Sequence, residues 1–223
     1  MSQDTELINR SLRTPRAAAV AGILFSVLLI TSQLLIWLSI PADPLGPASA
    51  LLAHTRSINL ALGLLPFSGI AFLWFIAVVR DRLGALEDRF FATVLLGSGL
   101  LYVAMVFSAT AIAGALLTLL AIRPADMLPA GIYVLGRAEI YRFHSLFATK
   151  MAAVFMGCGS TIFLRTRVVP RWVAFTGYLL AAVLLVSLGE VPLINMVFPV
   201  WVFLVSVCVL IESKGSAATA AAR

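Results

Sequence analysis

Six long, almost uninterrupted apolar stretches divide this chain, at 17–40, 57–79, 91–120, 141–164, 172–189 and 193–211. Roughly 20 consecutive apolar residues span the hydrocarbon of a bilayer as a helix, which also satisfies every backbone donor and acceptor internally. The pattern therefore predicts an all-α, polytopic transmembrane helix bundle with six spans. Residues 1–16 form a short N-terminal segment and 213–223 a disordered tail. A water-soluble fold is excluded by composition, with 61% of residues hydrophobic and only 12% charged, against about a quarter charged in soluble domains. The first run, Ala17–Ile40, is too long for the apolar stretch of a cleaved signal peptide and is read as a retained span. The third apolar run extends over 33 residues, from Phe90 to Ile122. At 1.5 Å per residue it exceeds the hydrocarbon thickness, so it must tilt or project beyond the membrane.

Orientation follows from Lys and Arg, which gather on the cytoplasmic side. With the N-terminus inside, the inner segments hold eleven: Arg10, Arg13, Arg16, Arg80, Arg82, Arg89, Arg165, Arg167, Arg171, Lys214 and Arg223. The outer ones hold four, Arg56, Arg123, Arg137 and Arg142, while Lys150 lies within the fourth run. This bias predicts both termini in the cytoplasm of a cell membrane. It also accounts for the net charge of +6 without nucleic acid, whose binding needs basic residues on one soluble face. Trp37, Trp74, Trp172 and Trp201 fall near run ends, where interfacial anchors belong. Small residues four apart, such as Ala18 with Gly22 and Gly177 with Ala181, let helices approach closely.

The residues that could carry chemistry lie toward the outer ends. In Arg137-Ala-Glu-Ile-Tyr-Arg-Phe-His-Ser-Leu-Phe-Ala-Thr-Lys150, a helix turning 100° per residue puts Arg142 about 60° and Lys150 about 20° from Glu139, with His144 on another face. Lys150 lies roughly 12 Å inside the fourth run if that run opens at Arg142, and an intramembrane charge normally faces a partner, water or the bundle interior. Glu190 and Asn195 interrupt the fifth-to-sixth hairpin at the same level, making Glu190 a counter-ion candidate. His54, Arg56 and Asn59 begin the second span at that level too. The expectation is an outward-opening polar pocket between helices two, four, five and six, which binds or transports a small molecule, an ion or a lipid head group. Its candidate ligand-binding residues are Lys150, Glu139, Arg142, His144, Glu190, Arg56, Asn59 and Asn195. The competing reading makes the same charges interfacial anchors and register pairs.

No catalytic residue, metal or cofactor is expected. The G-x-S-x-G, P-loop and dinucleotide motifs are absent. Two histidines specify neither haem nor zinc by themselves. Cys158 and Cys208 sit inside apolar runs and read as packing residues. His144, the stretch Phe155-Met-Gly-Cys-Gly-Ser160, the turn Val169-Pro-Arg-Trp172 and Gly177 resemble a large group of uncharacterised bacterial multi-pass membrane proteins. That resemblance implies a bacterial source and the six-span layout, but no activity. Beside the pocket stand two further classes, a non-catalytic partner or assembly subunit of another membrane protein, and a lipid-modifying membrane enzyme. The partners expected are the lipid bilayer, a small molecule or head group, and either further copies of the chain or another membrane protein.

Overall fold

A computed structural model describes residues 2–39, 53–83, 89–122, 130–166, 169–187 and 193–221. Every apolar run is helical, and no strand occurs among the described residues. The order is α1 (Ser2–Ser39), α2 (Thr55–Leu83), α3 (Arg89–Ile122), α4 (Ala130–Tyr141), a π-helical segment (Arg142–Ala148), α5 (Thr149–Thr166), α6 (Arg171–Val186), a 3-10 turn (Ile194–Met196) and α7 (Val197–Ala221). Five stretches are long and apolar enough to cross a membrane: Ala17–Ser39, Thr55–Arg80, Phe90–Ile122, Gly131–Thr166 and Ile194–Glu212. The fifth apolar run gives the shorter α6, whose 16 residues reach about 24 Å. α7 continues through 213–221, the segment expected to be disordered.

Several hydroxyl residues inside the runs are satisfied by their own helices. Ser26 donates to the Gly22 carbonyl at 2.8 Å, Ser98 to Val94 at 2.7 Å and Thr110 to Val106 at 2.7 Å, the back-bonding that lets such residues sit in helix interiors. Packing between helices supplies the rest. α1 lies along α2 and α7, while α5 lies between α3 and α6. Five helices each send one ring to the centre: Phe25, Phe72, Tyr102, Phe155 and Phe198. Phe25 stacks on Phe72 with centroids 4.5 Å apart, Phe72 meets Phe155 at 5.2 Å, and Tyr102 meets Phe198 edge-on at 4.6 Å. Such geometries add to the area the rings bury.

Two findings revise the sequence reading. The long third run is matched by α4, which begins well before the expected start of the fourth span at residue 141 and packs on the C-terminal part of α3. Ile58, Leu117, Leu120 and Tyr133 form a second small core there, and the Gly136 backbone lies against the Leu116 side chain. Trp201 is not an interfacial anchor. It is 1% exposed, wedged against Gly177 and Gly159, whereas Trp37, Trp74 and Trp172 are exposed as anchors would be.

Candidate functional site

The rod from α4 to α5 changes character over seven residues, Arg142–Ala148, where it winds as a π-helix. π-helical bonds run i→i+5, and such segments are frequently found at functional sites. Across from this segment the chain re-enters the bundle. Leu193 has φ 65°, a left-handed conformation costly for a non-glycine residue, and Asn195 follows on the 3-10 turn. The Thr149 hydroxyl donates to Asn195 Oδ1 at 3.0 Å, and Asn195 Nδ2 donates to Ser145 Oγ at 3.1 Å. One asparagine thus ties the entry of α7 to the π segment and to the first turn of α5.

Beside this tie lies a narrow recess of about 10 Å³, room for about one water molecule, part of it open to the outside. Its polar wall consists of Tyr102, His144, Thr149 and Asn195, and Leu184, Ile194 and Phe198 supply most of its apolar wall. Tyr102 is 5% exposed. Among the described residues no protein group hydrogen-bonds to its hydroxyl or to the His144 imidazole, and neither is sealed from the outside as the partnerless Ser160 and Trp201 polar atoms are. Among the described residues that line the recess none is charged. These residues offer hydrogen bonds of both senses without a fixed charge.

Lys150 stands one residue beyond Thr149 and serves a different purpose. Its ammonium donates to the carbonyls of Leu184 and Leu185 at 2.8 Å each, and to that of Ser187. A helix leaves its last carbonyls without backbone partners. Those of the short α6 lie in apolar sequence, where water is scarce and an unsatisfied group costs several kcal/mol. Lysine donates three hydrogen bonds, and all three are used here.

Of the residues expected to form the pocket, His144 and Asn195 come together on its wall, and Lys150 lies behind it, holding the backbone of Leu184. Arg56 and Asn59 are exposed at the start of α2, Glu139 is half-buried on α4, and Arg142 is exposed on the π segment; none of these lines the recess. Glu190 lies outside the described residues. The recess is built from α3, the π segment, α5, the end of α6 and the entry of α7, and α2 does not contribute to its lining. Tyr102, Thr149 and Ser145 were missed. A tyrosine within a run of apolar residues reads as core, and a threonine or serine at a helix turn reads as bonded to its own backbone.

Among the described residues no three His, Cys, Asp or Glu side chains gather in a metal-binding arrangement. Cys158 and Cys208 are unpaired and half-buried. Comparison with protein families, curated proteins and solved structures returns no match.

Proposed function

We propose that this chain is a six-span bacterial cell-membrane protein that binds a small, uncharged, hydrogen-bonding molecule in the recess beside the π segment. The observation that carries this reading is the pair of unpartnered polar groups, the Tyr102 hydroxyl and the His144 imidazole, on the wall of one cavity. A carbonyl or hydroxyl group reaching in from the open side would supply partners for both, beside the apolar side chains of Phe198, Ile194 and Leu184. The neutral character of the described lining residues, with all three Lys150 donors already bound to backbone, favours an uncharged ligand over an anionic head group. In this reading α6 is the fifth of six spans, and both termini face the cytoplasm, as the eleven-to-four distribution of Lys and Arg supports. The recess then opens toward the extracytoplasmic side.

The test is a melting screen of the purified protein in detergent, at matched ionic strength, against uncharged ketones, amides and alcohols alongside carboxylates and phosphates. Uncharged compounds raise the melting temperature of the natural protein, and Tyr102→Phe and Asn195→Ala each weaken that response. Stabilisation by anions alone, or an equal response in both variants, refutes the reading. A second reading, a partner subunit, draws on α3, whose apolar stretch is only 22% buried within the protein. Purification in mild detergent separates the two, since a stoichiometric foreign subunit lying on α3 would favour it.

A further inference from the structure

α6 ends where its backbone chemistry is left over. The last carbonyls of a helix carry the negative end of its dipole. Three oxygens, those of Leu184, Leu185 and Ser187, converge on a single point, which the Lys150 Nζ occupies. Ser187 has left the helix with ψ 136°, and its carbonyl joins the two helical ones. Convergent neutral carbonyl oxygens are also the means by which proteins replace the hydration shell of a monovalent ion. Nonhelical backbone at membrane depth is tolerated where it lines a cavity or is buried in protein, and Leu184 belongs to both places: its carbonyl faces the ammonium and its side chain lines the recess.

We infer that these three carbonyls form a monovalent-cation site at the break between α6 and α7, and that Lys150 is its tethered occupant. The site takes a primary ammonium or an alkali ion in place of the lysine. Filling it fixes the end of α6 and, through Leu184, the wall of the recess. The occupant needs one positive charge and several short contacts to oxygen. No side chain of the recess takes part, so failure of this inference leaves the ligand reading standing, and failure of that reading leaves the cation site standing.

The experiment removes the occupant and offers substitutes. Lys150→Ala lacks the atoms from Cγ to Nζ, which propylammonium replaces. The melting temperature of the variant in detergent falls by on the order of 5 °C, as expected for carbonyls left unpaired. Propylammonium restores it, sodium or potassium restores it in part, and tetramethylammonium, which has no N–H, does not; the natural protein responds to none of them. No fall, or a fall that no cation reverses, overturns the inference. If the variant does not accumulate, the natural protein decides. The chain has two lysines, Lys150 and Lys214, and mass spectrometry resolves them after reductive methylation. Lys150 is then modified at least roughly tenfold more slowly in the folded than in the unfolded protein, since its amine is released only by local opening. Equal rates overturn the inference.

Discussion

Gly177→Ala tests one of the tightest contacts between helices. A Cβ at position 177 would stand 2.1 Å from Ser160 Oγ and 2.8 Å from Trp201 Nε1. Non-bonded heavy atoms sit comfortably at about 3.5–4.0 Å, so Ser160 must withdraw by more than about 1 Å and the indole by roughly half that or more. The serine hydroxyl can rotate away. The indole has less freedom, because a Cβ built at Gly159 would already lie 3.2 Å from its Cη2 atom, so the ring is held between α5 and α6. Overpacking of this kind costs about 1–3 kcal/mol, and in a chain of this size each kcal/mol lowers the melting temperature by roughly 2–4 °C. Thermal melting in one detergent measures it directly. Ser160→Ala combined with Gly177→Ala removes the shorter clash, so the pair is less destabilised than the sum of the single changes, by about 0.5 kcal/mol or more. A Gly177→Ala protein within about 0.5 kcal/mol of the natural one, a typical bound for neutral substitutions, would refute the reasoning, as would additivity of the pair.

Two further outcomes concern stability. Gln33 is buried, and neither its amide nitrogen nor its oxygen has a partner among the described residues. An unmade buried hydrogen bond costs about 1–3 kcal/mol, so Gln33→Met, similar in length but free of that penalty, raises the melting temperature, and a decrease would show that the amide holds something. Leu193→Gly relieves the left-handed conformation by about 1 kcal/mol, because the side chain is 44% exposed and contributes little packing; a clear loss of stability on equilibrium unfolding would contradict that.

The bundle was legible in the sequence because a bilayer permits few backbone solutions, and apolar run length reports one of them directly. His144 and Asn195 were legible as polar residues at the same end of the bundle. The grouping of Glu139, Arg142 and Lys150 on one face was computed at 100° per residue, but the intervening π segment turns the chain by less than that per residue. No residue type between 142 and 148 announces that winding. The partner of Lys150 was hidden for a different reason. The expected counter-ion, Glu190, lies outside the described residues, and among those described the acceptors are backbone carbonyls, which every residue carries and no sequence pattern marks. Trp201 misled by position, since a tryptophan near a run end reads as an anchor until two glycines, Gly159 and Gly177, are seen beside it.

The ammonium of Lys150 and the carbonyls it holds lie 34 to 37 residues apart, within two consecutive helices joined by a short basic turn. During synthesis the charge and its acceptors are therefore delivered one after the other. An isolated α5 would carry a bare cation into lipid, and an isolated α6 would carry bare carbonyls. The paired helices carry neither. If α6 crosses the membrane as proposed above, the insertion machinery releases α5 and α6 together, and the charge need not wait for α7 or the rest of the bundle to be sheltered. Separation of the two helices by a long inserted linker would then impair membrane integration before it disturbed the finished fold.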